Sequence, residues 1–118
     1  MNSSELAALV VEGMQDKKAK DVVLLDLREV KNSISDYFII CTGGSDTQID
    51  AIADSVEKKV YEEAAENPFN KEGNQNNQWV IIDYVDVVAH VFSPKNREHY
   101  NLENLWGDAN IKHYENTI

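Results

Sequence analysis

The segment from Trp79 to Phe92 reads WVIIDYVDVVAHVF, and its only charged side chains, Asp83 and Asp86, flank Tyr84-Val85. Apolar runs on either side of a polar centre read as two strands folded on each other, about 78–83 and 85–92. Pro94 ends the second. A two-residue loop at Tyr84-Val85 would set Asp83 opposite Asp86, Ile81 opposite Val88 and Trp79 opposite His90. Side chains alternate along a strand, so these six would share one face. The other face, Val80, Ile82, Val87, Ala89 and Val91, is uniformly apolar and small, as packing under a helix requires. A one-residue slip would exchange the two faces.

The first face mixes a Trp, a His, two aliphatics and two acids. Like charges set opposite each other destabilise a sheet, so their retention beside Trp79 suggests use. Trp is favoured at binding hot spots, and acids around it suit a basic partner. The competing reading is that Trp79 packs under a second helix and His90 is a satisfied, half-buried residue; large aromatics are common in cores.

The rest of the chain supplies cover for such a hairpin. Residues 3–17 carry Leu6, Leu9, Val10 and Met14 at helical spacing. DVVLLDL from Asp21 and DYFIICT from Asp36 read as strands, with a polar turn over 28–35. Gly43-Gly44-Ser45 stops the second strand. Ser45 is a good N-cap, Gln48 completes a capping box and Asp46 suits the helix dipole. Ile49, Ile52, Ala53, Val56, Val60 and Ala64 then form one apolar stripe, and the helix must end before Pro68. Residues 67–77 are the least ordered by composition. A short helix carrying Tyr100, Leu102, Leu105 and Trp106 follows the hairpin, and a polar tail begins at about residue 107. The order α-β-β-α-β-β-α predicts an α/β fold of the α+β kind, a mixed sheet covered by helices.

The chain has 118 residues, the length of one domain, expected over 1–118. No apolar run approaches the roughly 20 residues of a membrane span, and the N-terminus has neither a secretory nor a transit pattern. A cytoplasmic protein without membrane contact is therefore expected. Asp plus Glu number 21 against 11 Lys plus Arg, a net charge of -10. That balance disfavours direct nucleic-acid binding, which rests on neutralising phosphates, and it suits a basic protein partner or plain solubility. Cys41 is the only cysteine, which excludes an internal disulfide. Within YFIICT it reads as a small buried hydrophobe.

Four blocks, in order, resemble the Iojap or ribosomal silencing factor family: KAKDVVLLDLRE from Lys18, DYFIICTGGSDTQIDAIADSVE from Asp36, WVIIDYVDVVAHVF from Trp79 and YNLENLWGDA from Tyr100. Lys71-Glu72-Gly73 is similar to the family's short Glu-Gly element. The resemblance implies a nucleotidyltransferase-like fold without the catalytic carboxylates, no enzymatic activity and no cofactor. It implies binding to the large ribosomal subunit through ribosomal protein fourteen of the large-subunit series. Docking there would block the small subunit sterically and lower translation, notably when nutrients are short; organellar relatives act in large-subunit assembly. It also implies partner-binding roles for Trp79, Asp83, Tyr84, Asp86 and His90, to which the shared face adds Ile81 and Val88. Many relatives carry glycine where this chain has Val85, so the turn geometry there is in question.

Two other classes stand beside this reading. A nucleotide-binding enzyme could hold a phosphate on Gly43-Gly44-Ser45, but no D-x-D lies on a strand, and Asp83, Asp86 and His90 lack a recognised metal spacing. A strand-to-helix turn explains the same glycines. His99 and His113 read as surface residues. A homodimer of the free protein could form on the hairpin face or on Tyr100, Leu105 and Trp106. Leu102 and Leu105 read more simply as cover for the sheet, and Trp106 as either cover or interface.

Overall fold

A computed structural model describes residues 2–73 and 78–116. In chain order it contains α1 (Ser3–Asp16), β1 (Lys20–Asp26), β2 (Tyr37–Thr42), α2 (Asp46–Ala64), β3 (Asn70–Gly73), β4 (Trp79–Asp83), β5 (Val87–Phe92), α3 (Pro94–Tyr100), α4 (Leu102–Leu105) and β6 (Asn110–His113). The strands form one mixed sheet in the order β3-β4-β5-β2-β1-β6. Only β2 and β5 run parallel, with Tyr37 beside Val87 and Thr42 beside Phe92. The expected mixed α/β architecture is therefore present. Among the described residues no helix is long and apolar enough to cross a membrane.

The helices start and stop where local chemistry dictates. Asn2 caps α1 by accepting from the Glu5 N–H at 2.8 Å. Ser45 caps α2 by accepting from the Gln48 N–H at 3.1 Å. The reciprocal half of the capping box is displaced by one residue. The Gln48 carboxamide oxygen accepts from Gly44 at 2.6 Å rather than from Ser45. α2 ends at Ala65, left-handed at φ 55°, before Pro68.

Two strands depart from expectation. Asn70–Gly73, within the stretch read as least ordered, pairs antiparallel with β4; residues 74–77 of that stretch lie outside the described residues. Asn110–His113, read as polar tail, pairs antiparallel with β1. Both strands are exposed along their whole length. They close the sheet's two edges by backbone hydrogen bonds, without the apolar alternation by which a strand is recognised.

The core has two layers. On one side α1 and α2 lay Leu6, Val10, Met14, Ile49, Ile52, Val56 and Val60 over Val22, Ile39, Cys41, Ile82 and Val91. On the other, Val23, Leu25, Leu27, Phe38, Ile40, Val88 and Phe92 form a second cluster. Its cover is thin: α3 and α4 have 7 and 4 residues, against 14 and 19 for α1 and α2.

The two long helices cross at Gly13. A Cβ there would lie 2.8 Å from the Val56 Cα and 3.2 Å from the Ser55 carbonyl oxygen. Both neighbours are backbone and cannot yield without separating the helices. Ser55 adds a hydroxyl bond to the Gly13 carbonyl at 2.8 Å. Gly13→Ala is therefore expected to cost about 1–3 kcal/mol of stability by overpacking, read as a lower urea midpoint. An unchanged midpoint would mean that the crossing has room to spare.

Candidate functional site

The hairpin pairs Trp79 with Phe92, Ile81 with His90 and Asp83 with Val88. Tyr84 closes it by donating to the Val87 carbonyl at 2.9 Å, so the loop is Val85-Asp86, one residue later than expected. Asp83 and Asp86 therefore do not face each other, and the expected pairings of Trp79 with His90 and of Ile81 with Val88 are each displaced by two. A displacement of two preserves side-chain parity. Trp79, Ile81, Asp83, Val88 and His90 do share one face, while Val80, Ile82, Val87, Ala89 and Val91 pack under the long helices.

Tyr84 is the exception among the predicted site residues. With the turn moved on, it extends the Val80, Ile82 parity and is buried on the helix side, 7% exposed. Burial, aided by the Glu57 and Glu66 carboxylates, raises its phenol pKa, and its hydroxyl has no partner among the described residues. It supports the hairpin from beneath and is not on the Trp79 face. Asp86 stands exposed at the tip, outside either strand.

The face itself is layered. Val88, His90 and Phe92 are buried at its base, while Trp79, Ile81 and Asp83 are partly exposed. The His90 ring lies 4.8 Å from Phe38 and 5.9 Å from Phe92, and Phe92 stacks on Tyr100 at 5.7 Å. Trp106 meets Phe38 edge-on at 5.9 Å. His90, Phe92 and Tyr100 line an open cleft of about 160 Å³ together with Trp79, Ile81 and Leu102. Leu102 covers the sheet as expected, but Leu105 does not: it is 70% exposed. Leu105 is the last residue of the single-turn α4. Trp106 is half-buried and serves as cover. α3 is held down by Arg97, which donates to the Asp21 carbonyl, to the Thr42 hydroxyl at 3.1 Å and to Glu103 at 3.1 Å.

The turn is strained and clamped. Val85 adopts φ 74°, a conformation that a β-branched residue resists, and Asp86 donates back to the Tyr84 carbonyl at 3.0 Å to close a three-residue turn. The Asp83 carboxylate accepts from the Val85 N–H at 2.7 Å. The Ser35 hydroxyl donates to the Val85 carbonyl at 2.7 Å, and Asp36 and Tyr37 donate to the Asp86 carbonyl at 2.8 and 3.1 Å. The acid that reads as a partner contact thus also fixes its own turn.

Gly43-Gly44-Ser45 has little to offer a phosphate. The Gly43 N–H donates to the Phe92 carbonyl at 2.9 Å, the Gly44 N–H is taken by Gln48, and the Ser45 hydroxyl caps α2. A Cβ at Gly43 would come within 2.6 Å of Ile49, so this glycine serves close packing of loop on helix. Asp83, Asp86 and His90 are not gathered: among the described residues no three His, Cys, Asp or Glu side chains could hold a metal ion together. Cys41 is fully buried, and desolvation pushes its thiol up to about 12.

The family model described as ribosomal silencing factor during starvation matches residues 1–117. The chain belongs to this family. It is 42% identical over 118 residues to the ribosomal silencing factor of Halalkalibacterium halodurans, covering 100% of this chain and 99% of that protein. It is 39% identical over 112 residues to that of Bacillus subtilis, covering 92% and 91%. A crystal structure of a Chromobacterium violaceum protein, 36% identical, superposes with a TM-score of 0.84 over 91% of this chain and 88% of that one. A more distant relative, 28% identical over 83% of this chain and 43% of its own length, is a mouse protein named for mitochondrial assembly of the ribosomal large subunit. The family is a regulatory one.

Two tests follow from the geometry. Burial, with no hydrogen-bond partner on either ring nitrogen among the described residues, lowers the His90 pKa to about 4, against about 6.5 when unfolded. Between those values the unfolded chain binds more protons, so stability falls as pH drops from about 6.5 towards 4, by roughly 3 kcal/mol at most. His90→Phe is expected to remove that part of the acid slope when both proteins are titrated by urea unfolding; identical slopes would place His90 in a wetter site. At the tip, Val85→Gly relieves about 1–3 kcal/mol of backbone strain and loses roughly 0.5–1 kcal/mol to unfolded-chain entropy. A net gain of about 1 kcal/mol is expected in the same assay, and a loss would mean that Val85 is not strained.

Proposed function

We propose that this chain binds the large ribosomal subunit with the Trp79 face, through ribosomal protein fourteen of that subunit, and so blocks subunit joining and represses translation in the cytoplasm. The observation that carries the site is the half-exposed row Trp79, Ile81 and Asp83 above a buried aromatic floor. An apolar anchor on a rigid sheet, with acids at its end, is the composition of a hot spot for a basic partner. Asp83 and Asp86 supply local negative charge and the whole chain carries -10, which steers it towards cationic protein surfaces. Val88 and His90 act by supporting Trp79 and Ile81 from below. Tyr100, beside the cleft, and exposed Leu105 extend the apolar area; Trp106 stiffens it. The fold contributes a platform, and no catalytic step is part of this function.

Ribosome assembly is the second reading, favoured by the name of the mouse relative. Both readings begin with the same binding step and differ in whether mature subunits remain a target. A standard specific interface buries about 1,600 Å², within reach of one sheet face and its adjoining loops.

Co-sedimentation with isolated subunits decides between them. The chain should pellet with mature large subunits and not with small ones, and it should reduce the yield of joined ribosomes. Trp79→Ala should weaken that binding by at least about 1–2 kcal/mol with an unchanged circular dichroism spectrum. Normal affinity of the folded variant would remove Trp79 from the interface, and pelleting with immature large subunits alone would favour assembly.

A further inference from the structure

A second surface lies at one end of the sheet, away from the cleft. Ile34 is 86% exposed, Phe69 79% and Val85 53%. A chain of hydrogen bonds brings them to the same place. Phe69 donates from its backbone to the Asp83 carbonyl at 2.8 Å, the Asp83 carboxylate holds the Val85 N–H, and Ser35, next to Ile34, holds the Val85 carbonyl. All three thus sit where β3 begins, β4 turns into β5 and β2 begins. Large apolar side chains this exposed are costly on a free surface when they occur together, and such grouping marks contact sites. Val85 adds a second sign: the turn there suits glycine, yet it carries an exposed β-branched residue at φ 74°.

The surroundings select the occupant. Glu29, Asp36, Glu66 and Asp86 belong to the same loops and turns and Asp83 ends β4 beside them; the Asp36 carboxylate also accepts from the Ser3 hydroxyl at 2.7 Å. Of the two cations there, Arg28 is bound to Asp26 at 2.7 Å, leaving Lys31. An apolar centre rimmed by carboxylates repels phosphate backbones and anionic lipid surfaces and attracts a cationic polypeptide. We infer that this sheet end is a second contact surface, which seats a Lys/Arg-rich polypeptide segment of the large subunit with apolar side chains between its charges. The inference rests on the large-subunit reading and extends the contact beyond the Trp79 face, past Asp83 and Asp86, to Ile34 and Phe69.

The test combines two variants and one cross-link. Ile34→Ser/Phe69→Ser alters only exposed side chains and should keep the fold. With isolated large subunits it should bind about tenfold more weakly than the parent, as Trp79→Ala also should. A photoreactive residue in place of Ile34 should cross-link to a basic polypeptide of the subunit. If the parent and the double variant pellet equally while Trp79→Ala does not, this surface is refuted and the Trp79 face stands. If the parent fails to pellet, both fall. Cross-linking to RNA alone, or flotation with phosphatidylcholine vesicles that depends on Ile34 and Phe69, would also overturn the assignment.

Discussion

The parallel pairing of β2 with β5 at the centre of the sheet is the constraint on which the rest depends. Both strands are buried from end to end. A parallel pair needs cover on both faces, and the connection between its strands must carry the chain back along the sheet. α2 does both, returning the chain and burying Ile49, Ile52, Val56 and Val60 against one face. α1 completes that layer through the close approach at Gly13. On the opposite face the described residues form no further long helix. α3 and α4 cover β1, β2 and part of β5, and the strip along β4 is left half-covered. Trp79 and Ile81 stand on that strip. The candidate site is thus a consequence of unequal cover, on a sheet already made rigid from its other side.

The faces of the hairpin are legible in the sequence and its register is not. Parity depends only on alternation, and WVIID and VVAHV alternate clearly. Register depends on the turn, and here the turn breaks a local rule. A β-branched residue at φ 74° is a poor choice by intrinsic preference, and it is tolerated because Asp83, Ser35, Asp36 and Tyr37 bind the turn from three directions. Three of those groups, Ser35, Asp36 and Tyr37, come from some fifty positions earlier, which no local reading can see. Tyr84 was misplaced for the same reason: one step in the turn moves it from the loop to the buried face.

The edges were illegible for a different reason. NKEG and NIKH bury no side chain, so neither periodicity nor composition separates them from loop. They exist because β4 and β1 present unpaired backbone groups that any extended neighbour can satisfy. The α2 stripe, the Ser45 cap and buried Cys41 were readable because each rests on a local rule that the tertiary structure reinforces. The Gly13 crossing was not, since a glycine inside an apolar helix does not reveal what lies 3 Å away.

His90 shows how the site keeps its anchor fixed. A polar ring buried with no partner among the described residues is costly, and a core normally avoids it. Here it lies between Phe38 and Phe92, across the ladder from Ile81, and it borders the apolar cleft. Its lowered pKa keeps the ring neutral near pH 7, so the floor beneath Trp79 and Ile81 carries no positive charge, which would repel the basic partner proposed above. On the hairpin the carboxylates of Asp83 and Asp86 stand at the turn end, and Trp79 and Ile81 stand away from it. In the proposed complex, charge at the tip would govern approach and orientation, while desolvation of Trp79 and Ile81 would govern how long the complex lasts.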